Sequence, residues 1–313
     1  MTLRQRARLP MLTPAHSPSV VSSATEIASA LWPQASVILA TTLGAYLLWK
    51  RPAISGTTLV APWAWALATV ATVGAVEAWA ITLPTSESGL SRGALRYFAA
   101  SLACCPVVAV LGAKRPQDRA WQWTVLSLWG VLTLPLWHTV ATGGEAVELT
   151  GLWRLFFVGL CAMTLLCYGP SRNRWASLAA MLGQACLLAP FAWPDAGLSS
   201  DAAPAAGLAC FAASALSIRR YLGASKRPIP GPLQRWQEFL DGWGAFWTVR
   251  LAARVNQTAE LQRWPVRASV TGFYAIDEAI DVDALPSEQL AQIDATLDSL
   301  LWRFERHVAQ DSK

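Results

Sequence analysis

Glu77 has the strongest claim to chemistry in this sequence, because a carboxylate inside a run as apolar as Thr57 to Leu83 is costly to bury and marks either a site or a pairing. Arg96 stands near the start of the next apolar run, Leu95 to Ala113. A hairpin of the two runs brings carboxylate and guanidinium together. The expected role is therefore a structural ion pair or a snorkelling carboxylate, with a proton or cation site as the alternative. Gln184, in the run Trp175 to Trp193, is the other polar group near mid-membrane, and an interhelical hydrogen bond accounts for it better than contact with a solute.

The remaining chemistry-bearing residues point elsewhere. His138 follows Trp137 at the end of an apolar run, and the only other histidines are His16 and His307, so a haem held by two histidines between membrane helices is not expected. Cys104, Cys105, Cys161, Cys167, Cys186 and Cys210 all lie in apolar runs without C-x-x-C spacing and read as small packing residues. No glycine-rich phosphate loop, H-E-x-x-H, G-x-S-x-G or paired-carboxylate arrangement is present. No catalytic, cofactor or metal site is expected, and an intramembrane enzyme ranks last among the function classes.

Composition sets the frame for these residues. The chain has 313 residues, 54% of them hydrophobic and 14% charged, where a soluble domain averages about a quarter charged. Seven apolar segments are long enough to cross a hydrocarbon core: Trp32 to Trp49, Thr57 to Leu83, Leu95 to Ala113, Ala120 to Trp137, Leu152 to Tyr168, Trp175 to Trp193 and Ala203 to Ile218. The expected fold is an all-α polytopic bundle spanning 32–220, preceded by an N-terminal segment 1–31 and followed by a linker 221–232 and a small α or α+β tail 233–313.

Charge orients the segments. The loops after the odd-numbered segments carry Lys50, Arg51, Lys114, Arg115, Arg119, Arg172, Arg174, Arg219, Arg220, Lys226 and Arg227. The loops after the even-numbered ones carry Glu87, Glu145, Glu148, Asp195 and Asp201, with only Arg92, Arg96 and Arg154 nearby. By the positive-inside rule the C-terminus is cytoplasmic and the N-terminus outside, in a membrane expected to be the bacterial inner membrane. Arg4, Arg6 and Arg8 dissent, so the helical stripe Val20 to Trp32, ahead of Pro33, is a candidate interfacial or re-entrant element. No apolar core follows these arginines closely enough for a cleaved signal peptide to be expected. Tryptophans at 32, 49, 79, 121, 123, 137, 153, 175 and 193 fall near segment ends, where indole prefers the interface. Small residues at four-residue spacing (Ala179 with Gly183; Ala206, Cys210 and Ser214) predict close packing of the last two segments.

After the proline-rich linker, Trp236, Leu240, Trp243, Trp247, Leu251 and Val255 recur at helical spacing, with Arg235, Arg250, Arg254 and Arg263 among them. Trp236, Trp243, Trp247, Arg250 and Arg254 are thus candidate contacts for a membrane surface or a partner, although packing within a tail domain is the stronger expectation. Trp264 to Phe273 alternates like a strand. An acidic helix from Pro286, with Leu290, Ile293, Leu297, Leu301 and Phe304 as its stripe, is expected to pack on the basic tryptophan helix. Within the latter, Trp243-Gly244-Ala245-Phe246-Trp247 resembles the start of the tryptophan-rich motif of haem-handling cytochrome c assembly proteins. In that family a further tryptophan and an aspartate follow. Here Val249 and Arg250 follow instead, and no haem role is carried over.

The leading functional expectation is a non-enzymatic membrane component, embedded in the lipid bilayer, whose tail binds a cytoplasmic protein or a second copy of the chain. A permease-like protein for a small solute or ion is the alternative. The positive charge of +5 sits mainly beside apolar runs, so nucleic acid is not an expected partner.

Overall fold

The apolar runs fold as helices, the form that satisfies its own backbone where water is absent. The computed structural model describes residues 20–82, 89–144, 146–224, 231–277 and 285–304, with side chains described except at 20–30, 89–91 and 219–224. Arg4, Arg6, Arg8, Glu87, Glu145, Lys226, Arg227 and both His16 and His307 lie outside the described residues. The elements are α1 (Val20–Ile54), α2 (Val60–Thr82), α3 (Gly89–Leu102), α4 (Cys105–Leu111), α5 (Asp118–Leu132), α6 (Leu134–Thr142), α7 (Leu152–Tyr168), α8 (Arg174–Ala192) and α9 (Ala202–Ala224). The tail adds α10 (Pro232–Gln262), β1 (Val266–Ala268), β2 (Phe273–Ala275) and α11 (Ser287–Leu301).

Five helical stretches are long and apolar enough to cross a membrane: Leu31–Ile54, Val60–Thr82, Arg92–Leu111, Asp118–Thr142 and Arg174–Ala192. Leu152–Tyr168 and Ala202–Ile218 are apolar but shorter. Trp49, Trp123, Trp137, Trp175 and Trp193 are exposed near helix ends, and Leu48, Leu155, Leu166 and Leu216 point outward along helix sides. Such an apolar exterior suits lipid rather than water.

Three local expectations are corrected. The stripe from Val20 is not a separate piece, because α1 runs unbroken through Pro33, whose missing N–H removes only one bond from a long ladder. The third and fourth segments are not continuous. Pro106 ends the third at the α3–α4 turn, and Pro135 interrupts the fourth at Thr133. Each break is repaired by a neighbouring side chain. Pro106 cannot donate to the Leu102 carbonyl, which accepts the Thr69 hydroxyl at 3.1 Å; the adjoining Ala103 carbonyl accepts Gln184 Nε2 at 2.9 Å. At the second break the fully buried Tyr97 donates its hydroxyl to the Leu132 carbonyl at 2.7 Å.

Around these breaks α1, α2, α4, α7, α8 and α9 pack successively, α9 returning to α1, while α3 wedges between α2 and α8 at the end away from the tail. The most intimate approach is α8 on α9. A Cβ on Gly183 would lie 2.9 Å from the Gly207 carbonyl oxygen, and one on Gly207 3.1 Å from that of Gly183, so only glycine at both lets the backbones meet.

The tail folds over α10. Trp236, Phe239, Leu251, Val255, Val266, Ile293, Leu297 and Leu301 share one core. β1 and β2 form an antiparallel hairpin with Val266 opposite Ala275, where a single strand was expected. The Asn256 side chain completes the edge of β1, accepting from the Ala268 N–H at 2.6 Å and donating to its carbonyl at 2.9 Å. α11 packs on α10 with Arg235 bonded to Asp298 and 3.7 Å from Asp294. Glu278, Asp281 and Asp283 of the acidic run lie outside the described residues.

Candidate functional site

A chamber of about 760 Å³ lies inside the circuit of six helices and extends to the tail. Its walls are apolar: Leu43 and Leu47 from α1, Pro62, Ala66 and Val70 from α2, Val107 and Val110 from α4, and Phe211 and Ala215 from α9. Its floor is set by the α3–α4 break. There Gln184 accepts from the Thr164 hydroxyl at 2.9 Å while donating to Ala103, and Thr69 reaches Leu102, so α2, α7 and α8 are tied to one turn at the chamber's base. These bonds consume the polar groups of the floor. Gln184 therefore sits where interhelical bonding was expected, and it also lines the cavity.

One buried polar group beside the chamber is left over. Trp63 Nε1 is buried and has no hydrogen-bond partner among the described residues, although Trp63 lines the chamber. A buried donor without an acceptor costs about 1 to 3 kcal/mol unless water or a ligand supplies one. At the mouth stand Arg172, Asn173, Glu238 and Asp241. Asp241 is engaged there, accepting from the Arg172 N–H at 2.9 Å, so the first loop residues after α7 are clasped to α10.

The far end is closed by an ion cluster. Arg96 donates side-on to Glu77, Nε to Oε1 at 2.7 Å and Nη2 to Oε2 at 2.9 Å, and its Nη1 reaches Asp201 Oδ1 at 2.7 Å. Glu77 is 0% and Arg96 7% exposed, so the pair lies wholly inside the protein, whereas the Asp201 side chain keeps a third of its surface. α2, α3 and the start of α9 are thereby riveted together. Only a crevice of about 10 Å³ remains beside the cluster. The planar fork of arginine suits this geometry, offering bonds in three directions at once. The structure thus brings Glu77 and Arg96 together and adds Asp201, which reads in sequence merely as a loop acid. Its place immediately before α9 was the only signal available.

Of the candidate tail contacts, the three tryptophans pack against the molecule, whereas Arg250 and Arg254 are exposed. Trp236 is buried in the tail core and donates to the Ser269 carbonyl at 3.0 Å. Trp247 donates to the Val110 carbonyl at 2.8 Å and Trp243 to the Thr58 hydroxyl at 3.0 Å, fastening α10 beneath α4 and α2. Trp243 and Trp247 thus dock the tail on the apolar helices, and Trp236 packs within the tail itself. The Trp243-to-Trp247 fragment is spelled by that docking. Gly244 adopts φ 77°, kinking α10, and a Cβ there would sit 2.8 Å from the Cys167 carbonyl oxygen. Arg250 lies over Phe246 at 4.1 Å, and Arg254 is exposed with Gln257 at 3.4 Å.

Compared with protein-family models, curated proteins and solved structures, the chain matches none.

Proposed function

We propose that this chain is a permease-like multi-pass membrane protein whose helices enclose a chamber for a largely apolar small molecule. The chamber carries this reading. At about 760 Å³ it falls within the roughly 300 to 1,000 Å³ of small-molecule sites and far exceeds the roughly 30 Å³ share of one water. Its walls favour an apolar body. Broken helices whose turn lies at the chamber floor, and a sealed far end, are features of carriers that open to one side at a time. Seven spans are proposed, the α3–α4 and α5–α6 pairs each counting once. A cytoplasmic tail is supported by the eleven basic residues of the odd-numbered loops against three in the even-numbered ones, as named above.

In a background with Cys186 and Cys210 replaced by alanine, Ser214→Cys in the chamber is expected to react with a water-borne maleimide, and Leu155→Cys on the outer face is not. An unreactive Ser214→Cys in folded protein would refute a solvent-reached chamber. A second reading, a tail that recruits a protein partner, is favoured by one observation: Tyr274 and Ile276 on and beside β2 are exposed. Specific capture of a partner that is lost on Tyr274→Ser would favour it.

A further inference from the structure

We propose that Lys114, Arg250, Arg254 and Arg303 form a site for a phosphate-bearing anionic headgroup where the tail meets the membrane helices. The site is independent of the chamber. Trp247 organises it: with its indole tied to Val110, the Lys114 ammonium lies 5.8 Å from its ring centre, and the Arg250 guanidinium lies 5.2 Å from the same centre. Arg303 is brought in through the backbone, its carbonyl accepting the Arg115 N–H at 3.1 Å. Arg254 follows Arg250 by one turn of α10 and is exposed.

These cations lack a visible counter-charge. Among the described residues, salt bridges are made by Arg96, Arg235 and Arg267, and by none of these four. Burial, followed by the charges of Arg303, Arg254 and Arg250, lowers the Lys114 ammonium below its usual range, as expected where positive groups crowd without an anion. The C-terminus of α4 offers roughly half an elementary charge, too little to balance four cations. Among the described residues no anion balances them, and an external anion would.

Position names its class. The apolar stretch Arg92–Leu111 ends three residues before Lys114, which puts the cluster at headgroup depth, and the exposed Val249 and Trp302 lie beside it in sequence as apolar contacts for acyl chains. Guanidinium forks match phosphate oxygens, and basic pockets at this level suit anionic lipid heads. The same chemistry would hold free inorganic phosphate.

The full chain in detergent is titrated with phosphatidylglycerol or phosphatidylcholine in mixed micelles, and separately with inorganic phosphate at fixed ionic strength, following the unfolding midpoint. Phosphatidylglycerol should raise the midpoint and phosphatidylcholine should not. Arg254→Gln, an exposed change that spares folding, should weaken the response about fivefold, the loss expected per cation near an anionic surface. The triple change Lys114→Gln, Arg250→Gln, Arg254→Gln should abolish it. Arg267→Gln, a tail arginine paired with Glu260, should leave it intact. A response to phosphate as well identifies free phosphate as an occupant; a response to phosphatidylglycerol alone identifies the lipid. No response to either anion, an undiminished response in Arg254→Gln, or an equal loss in Arg267→Gln would overturn the proposal.

Discussion

Glu77, Arg96 and Asp201 form a buried ionic group that is costly to build and costlier to break one partner at a time. Removing one partner of a buried pair leaves an uncompensated charge and costs about 3 to 5 kcal/mol, whereas replacing both by apolar residues of similar volume is often neutral. Glu77→Leu alone is therefore predicted to lower the thermal midpoint sharply. Glu77→Leu with Arg96→Met should recover most of the loss, because Asp201 is partly exposed and can rehydrate. Failure of the double variant to recover would show that the cluster does more than rivet the far end. The pairing of Glu77 with Arg96 was legible, since two opposite charges near the same end of consecutive apolar runs meet in a hairpin. The role of Asp201 was not, because nothing local links it to residues more than a hundred positions earlier. Trp63 was equally silent in sequence, where its indole is one of 17.

At the scale of elements, the tail helix α10 depends on a backbone conformation that side chains resist. Gly244→Ala places a Cβ at φ 77° and 2.8 Å from the Cys167 carbonyl oxygen, and is predicted to destabilise the docked tail by about 1 to 3 kcal/mol, read as a lower unfolding midpoint. The clasp of α11 on α10 adds a pH dependence. The Arg235 guanidinium, through its hydrogen bond, holds the Asp298 carboxyl below the usual carboxylate range. A lowered folded value means a contribution present above about pH 4 and lost as pH falls through the folded value. Asp298→Asn should remove that part of the acid dependence of tail unfolding and lower stability by a constant amount above pH 6, about two pH units above the ordinary aspartate range, with no change of slope there. Helical periodicity made both tail helices legible, and the prolines at 106 and 135 stood in plain view. Their consequence was missed because hydropathy counts apolar residues and is blind to a missing N–H. Only the neighbours Thr69, Gln184 and Tyr97 reveal that the breaks are built in rather than tolerated.

Across the whole molecule, the apolar exterior with its exposed tryptophans was readable from composition, and the five long apolar helices agree with it. The chamber was not, because a cavity belongs to the relative placement of six helices and has no signature in any one of them. Its presence shifts the functional weight from the tail, whose tryptophans are spent on docking, to the interior of the helices. A chamber open toward the tail and closed beyond Gln184 by α3 and the ion cluster is the central feature of the proposed function. It is tested most directly by sided labelling in sealed vesicles. Ser214→Cys should react with an impermeant maleimide from the side that also exposes the C-terminal tail, and an added Ala180→Trp, which fills the chamber, should block the reaction. Labelling from the opposite side, or labelling indifferent to Ala180→Trp, would contradict the account.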